Sequence, residues 1–139
     1  MENQDRAMRY ARQIARMIQV DTVRRPGADK ENFDRLHAVM AELFPRVFEG
    51  CRRWEFESSL LFCWPGKTRR ALVLMSHQDV VEAPGAWKYP PFSGTIADGK
   101  LWGRGALDVK GNLHDIFQAV EELMEACLLY TSDAADEAR

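Results

Sequence analysis

An α/β fold is predicted, the N-terminal part of an α/β/α sandwich, from three observations. The segments follow the order helix, helix, strand, strand, hairpin, helix, which opens a layered α/β arrangement. Ala71 to Met75 is a continuous apolar run, as expected for a strand buried on both faces of a sheet. Polar residues with chemical potential (Ser76, His77 and Asp79) follow directly, where open α/β sheets place their ligands.

Each element has its own signal. Ala11, Ile14, Ala15 and Ile18 recur at helical spacing, with Arg and Gln opposite, so a helix is predicted from about Gln4 to Val20. Arg25-Pro26-Gly27 breaks it. Asp29 is positioned to cap a second helix with the stripe Phe33, Leu36, Met40, Leu43 and Phe44, ended by Pro45. His37 lies one step off that stripe and reads as a surface or helix-packing residue. Trp54, Phe56, Ser58, Leu60 and Phe62 alternate with Glu55, Glu57 and Ser59, which predicts a strand. Pro65-Gly66 turns the chain into the apolar run 71–75. A Pro- and Gly-rich loop from Ala83 to Phe92 carries Trp87 and Tyr89, read with Trp102 as packing residues. Asp98-Gly99 between Thr95-Ile96-Ala97 and Lys100-Leu101-Trp102 signals a type I′ hairpin. A last helix is expected from about Val109 to Ala126, with Leu113, Ile116, Ala119, Val120 and Leu123 on one side. A sheet of this few strands would leave edges unpaired and apolar faces uncovered.

The 139 residues are 46% hydrophobic and 29% charged, an ordinary composition for one domain. A net charge of −2 excludes a basic nucleic-acid surface and a polybasic membrane patch. No apolar run approaches the roughly 20 residues of a membrane helix. The charged first twenty residues do not read as a secretory signal, so a cytoplasmic location is expected. Cys51, Cys63 and Cys127 have no framework or zinc-ribbon spacing and read as thiols in a reducing compartment.

The chemistry concentrates in LVLMSHQDVV and GRGALDVKG. His77 and Asp79 are two residues apart, and Asp108 stands 31 positions after His77 in a Gly-rich turn. Imidazole and carboxylates on short rigid turns are the donors of a zinc site with open positions. A carboxylate two residues from a histidine can orient the ring and raise its basicity. Asp108 offers two oxygens, enough to bridge two metals. Taken singly, His-x-Asp is weak and Asp108 could cap the following helix.

The combination is specific. SHQDVV, a Trp, then PPFSG-x-I-x-DG-x-LWGRGA-x-D-x-KG closely resembles the di-zinc metallopeptidase family of aminoacylases, carboxypeptidase S, dipeptidases and succinyl-diaminopimelate desuccinylase. The resemblance covers Met1 to Ala126 and is strongest from Leu72 to Gly111. It implies that His77 binds one zinc, that Asp79 is the catalytic-site aspartate orienting the histidine, and that Asp108 bridges two zinc ions. It also implies a cis peptide bond at Asp108–Val109. The implied reaction is hydrolysis of a small peptide or an N-acyl amino acid, with a downstream glutamate as general base. A homodimer of the full-length protein is compatible with it. Gln78 within His-x-Asp leans toward the carboxypeptidase S or dipeptidase side, with N-acyl-amino-acid deacylase or desuccinylase activity as the alternative within the family. Glu82 stands where the family commonly has Pro, which bears on loop shape.

The family also needs a Glu-Glu pair, a further carboxylate and a late histidine. Glu121-Glu122 lies too early for that pair and reads as a solvated helix face, and His114 and Asp115 fall outside the pattern. The tail CLLYTSDAADE resembles the translated read-through of a transposon-derived sequencing adapter. The expected division is therefore 1–126, the N-terminal part of a zinc-peptidase catalytic domain, and 127–139, a non-native tail. Without that tail the net charge is zero. The 139 residues alone are expected to be inactive, since two ligands do not hold zinc tightly. The rival reading is a non-catalytic binding protein on the same scaffold.

Overall fold

The computed structural model describes residues 2–27 and 29–136, with side chains for 3–27 and 30–127. Helices dominate. α1 (Glu2–Ile18), α2 (Asp29–Leu43) and α3 (Pro45–Gly50) precede a hairpin, β1 (Arg52–Phe56) and β2 (Ser59–Cys63). A second hairpin, β3 (Thr95–Ala97) and β4 (Lys100–Trp102), leads to α4 (Lys110–Asp136). The core lies between the helices, where Met17, Val20, Leu36, Met40, Phe44, Val47, Leu113 and Met124 pack together. The stripe expected on α2 supplies Leu36, Met40 and Phe44, whereas Met17 of α1 and Val20 just after it lie off the expected stripe, whose Ala15 and Ile18 are buried instead beside Gly94 and Gly103. Met17 and Ile18 are fully buried, as are Leu36 and Phe44. The capping role expected of Asp29 falls on a side chain outside the described residues. None of the helices among the described residues is long and apolar enough to cross a membrane.

Pro45 does not simply end α2. It starts α3, where its fixed φ suits a first turn and its missing N–H costs nothing. The strand expected across 54–62 is instead a hairpin, with Phe56 paired to Ser59 and Glu57 at φ 55° in the turn. That register puts Trp54, Phe56 and Leu61 on one face and Leu60 and Phe62 on the other. Phe62 packs edge-on against Phe48 and Phe117, at centroid distances of 5.0 and 5.3 Å. The Trp54 face is exposed.

The largest departure is at Ala71–Met75, which forms no strand and is not buried. Leu72 and Met75 are each 84% exposed. A strand exists only where a neighbour takes its N–H and C=O groups. Among the described residues this stretch has no such neighbour, and the sheets are two separate antiparallel pairs. The structure is therefore mixed α/β with small sheets. The type I′ turn is present as expected, with Asp98 at φ 55° and Gly99 at φ 67°.

α4 starts where expected and runs on through 127–136, while residues 137–139 of the tail lie outside the described residues. Its buried stripe is rotated from the expected one. Leu113, His114, Glu121 and Met124 are buried, whereas Leu123 is 56% exposed. α1 and α3 cover only that one side of the helix.

Glu121 is not a solvated residue. Its carboxylate accepts from the backbone N–H groups of Arg46 (3.0 Å) and Val47 (3.0 Å) and from Arg46 Nη1 (3.3 Å). It thus caps α3 from another helix, satisfying orphan donors of the first turn. Glu122 does face outward, accepting from Tyr10 Oη and from Arg6 Nη2. Replacing Glu121 by Ala should cost about 2–3 kcal/mol, because buried donors lose their acceptor. Glu122→Ala should cost under about 1 kcal/mol. Urea unfolding of the two variants measures the difference.

His114 is buried against Tyr10 and Phe44. Burial pushes its imidazole below the ordinary histidine value, against the opposing pull of Asp115 and Glu122. The unfolded chain then takes up a proton that the folded chain resists. The stability this group contributes is full above about pH 6.5 and is lost as pH falls below it. The stability gap between wild type and His114→Gln should therefore narrow from pH 7.5 to 5.5, as read from urea midpoints.

Candidate functional site

The residues singled out from the sequence converge because two segments are pinned to the end of α1. Thr22, fully buried, works in both directions. Its Oγ1 donates to the Gln78 carbonyl (2.7 Å) and its own carbonyl accepts from Val80 N–H (3.2 Å). Val23 and Val80 form an isolated parallel bridge beside it. This fixes the segment from Gln78 to Val80 against the chain just after α1, though it is not part of a longer strand.

The Gly-rich turn closes on the same place. Gly105, at φ 87°, is buried against Val80, and a Cβ there would come within 2.8 Å of Val80 Cγ1. Lys110 N–H then donates to the Gly105 carbonyl (2.8 Å). The Lys110 ammonium is fully buried and donates to the carbonyls of Met17 (3.0 Å) and Val20 (2.6 Å). Burial pushes its pKa down to about 8, with Asp21 pulling the other way. It closes the C-terminal end of α1 and fixes the start of α4. Between Gly105 and Lys110 stands Asp108, and the Asp108–Val109 peptide bond is cis, as the resemblance implies.

His77, Asp79 and Asp108 come together. His77 Nδ1 lies 2.9 Å from the Asp79 carbonyl, to which it donates, and 3.4 Å from Asp79 Oδ1. Its Nε2 faces Asp108 Oδ1 at 3.1 Å. Asp79 Oδ2 has Arg24 Nε at 3.9 Å. With Nδ1 carrying the hydrogen, Nε2 presents its lone pair to a carboxylate oxygen. Two electron pairs at that range need a cation between them, either a proton or a metal ion. Burial lowers the His77 pKa, but the hydrogen bond to Asp108, the Asp79 carbonyl and both carboxylate charges outweigh it, so the net shift is upward.

The donor set suits zinc. Bonds of about 2.0–2.2 Å place nitrogen and oxygen of one tetrahedral shell roughly 3.3 Å apart, close to the separation found here. The site is open, with the side chains of His77 and Asp108 53% and 88% exposed. A cleft of about 350 Å³ lies beside it, between Met75–His77 on one side and Val109 with Asn112 and Ile116 of α4 on the other. The donor atoms of Asp34, His37 and Glu55 also cluster, within 4.8 Å of one another. Two of its three members already have partners, since Lys30 Nζ donates to both Asp34 oxygens (2.8 and 2.7 Å) and Gln78 occupies His37 Nε2.

Sequence reasoning missed Thr22, Gln78 and Lys110 as supports of the site. Lys110 was legible in principle, because a lysine two residues after the key aspartate and just inside a helix is an odd place for a solvated charge.

The model of Peptidase family M20/M25/M40 matches residues 73–130. Carboxypeptidase S of Saccharomyces cerevisiae is 36% identical over 103 residues, covering 68% of this chain and 18% of the relative. Succinyl-diaminopimelate desuccinylase of Methylobacterium radiotolerans is 35% identical over 111 residues, covering 75% of this chain and 28% of the relative. The same-named protein of Azoarcus sp. is 34% identical over 124 residues, covering 81% and 32%. The chain thus spans between 18% and 32% of the length of these relatives. No solved structure gives a significant match. The family match begins in the apolar run before His77 and spans both the His77–Asp79 pair and the Asp108 turn: the chain belongs to Peptidase family M20/M25/M40.

Proposed function

We propose that residues 1–126 are the N-terminal part of the catalytic domain of a zinc-dependent hydrolase that cleaves peptide or N-acyl amide bonds. One observation carries the reading. His77 Nε2 and Asp108 Oδ1 converge at 3.1 Å with the other ring nitrogen already committed to Asp79. Relatives named carboxypeptidase S and succinyl-diaminopimelate desuccinylase support the two substrate classes. Gln78 within His-x-Asp favours the carboxypeptidase-like side. The exposed run 71–75 and the uncovered face of α4 would belong to a sandwich completed by further chain. Residues 127–139 are proposed to be a non-native addition.

In this reading His77 and Asp108 hold zinc, and the second Asp108 oxygen is available to a second ion. Bound zinc would acidify a water and polarise the scissile carbonyl. Asp79 acts on His77 in two ways. Its carbonyl fixes the tautomer, and its carboxylate keeps negative charge near the ring, raising the basicity of the ligand nitrogen. Arg24 Nε stands 3.9 Å from the other oxygen of that carboxylate. The general base and the remaining ligands are assigned to chain outside these residues.

Zinc titration of the chain with ¹⁵N-labelled histidine rings tests this. The Nε2 resonance of His77 should move, and those of His37 and His114 should not. Asp108→Asn should weaken the response about tenfold or more. Because the His77 pKa is raised, protons compete with the metal as pH falls. Apparent affinity should drop about tenfold per pH unit below that pKa. A response at His37 in place of His77 would sink the assignment. The 139 residues alone should hydrolyse no peptide, and zinc-dependent turnover by them would contradict the claim that the base lies elsewhere.

A further inference from the structure

We propose that Gln78 is a positioning residue, clamped at three points so that His77, held by Asp79 on one ring nitrogen, turns the other toward Asp108. The inference rests on the zinc-site reading above. The His77 ring reaches Asp108, while the Gln78 side chain reaches the opposite way, to His37 and Ser58 in the body of the protein.

There both ends of its side-chain amide, and its main-chain carbonyl, are engaged. Nε2 donates to the Ser58 carbonyl in the β1–β2 turn (3.0 Å). Oε1 accepts from His37 Nε2 on α2 (2.6 Å). The main-chain carbonyl accepts from Thr22 Oγ1, just after α1 (2.7 Å). The Ser58 carbonyl can only accept, which orients the amide and places the hydrogen on His37 Nε2. Three separate parts of the fold therefore meet on the residue between the two functional ones. Thr22 and His37 are buried, whereas the His77 side chain is mostly in water and has little packing of its own. The geometry of the exposed pair is thus set from the inside. An apolar residue at 78 could fill the space but would leave His37 and Ser58 without partners.

The test uses the whole chain with ¹⁵N-labelled histidine rings, observed by NMR at low temperature, before and after adding Zn²⁺ alone. In the zinc-free state, Gln78→Leu is expected to abolish the Nδ1–H signature that His77 owes to the Asp79 carbonyl. With zinc, it is expected to weaken apparent binding at His77 about tenfold. His37→Phe removes one point of the clamp and should give a smaller change in the same direction; it serves if Gln78→Leu does not fold. His114→Gln lowers stability from a site buried against Tyr10 and Phe44 and should leave both His77 readouts unchanged. Wild-type His77 signals in a folded Gln78→Leu or His37→Phe chain overturn the proposal, as does an equal disturbance by His114→Gln. If zinc leaves wild-type His77 unmoved, the zinc reading falls, and the zinc-free ring signals still decide the clamp.

Discussion

A buried ammonium ties the end of the first helix to the start of the last. Lys110 takes two carbonyls at the C-terminal end of α1, where the helix leaves acceptors without partners and concentrates partial negative charge. Removing that charge from water is expensive, so the arrangement holds only with both acceptors in place. The consequences spread in both directions along the chain. Thr22 follows α1 and grips the 78–80 segment, while Asp108 precedes Lys110 by two residues. The geometry of His77 and Asp108 is therefore a by-product of how one helix end is closed.

Much of this was legible in the sequence, and the failures share a cause. The stripe of α2 could be read because a helix declares its own buried face, while α1 turns both its expected stripe and Met17 inward. The Asp98-Gly99 turn could be read because its backbone needs two positive φ angles. The meeting of His77, Asp79 and Asp108 came from motif order, and the coordinates bring the three together. The misreadings all concern partners. Residues 54–60 alternate as one strand would, but pairing Phe56 with Ser59 reverses which side chains share a face. Ala71–Met75 has the composition of a covered strand and lacks a neighbour among the described residues. The stripe on α4 was chosen from hydrophobicity, and what decides is which side α1 and α3 occupy. Glu121 looked solvated because nothing near it in sequence announces that it faces the start of α3.

Exposure sets the strength of the electrostatics at the site. Asp108 stands mostly in water, so its attraction for the His77 ring is screened. Asp79 acts at closer quarters, through a carbonyl that cannot move without moving the backbone. The histidine is thereby oriented by a fixed dipole and attracted by an exposed carboxylate. Covering the open side would lower the local dielectric and strengthen every one of these interactions without altering a bond.

The cap on α3 has a consequence for the order of assembly. A helix of six residues is far too short to persist alone in water. Its first turn finds its carboxylate 75 positions downstream of Arg46, on α4. Closing so long a loop must precede any reward from the contact. α1 and α2 can associate early from nearby sequence, while α3 gains its first turn only as α4 docks. The shortest helix is therefore the one that forms late, and its appearance marks the moment when α4 has found the N-terminal helices.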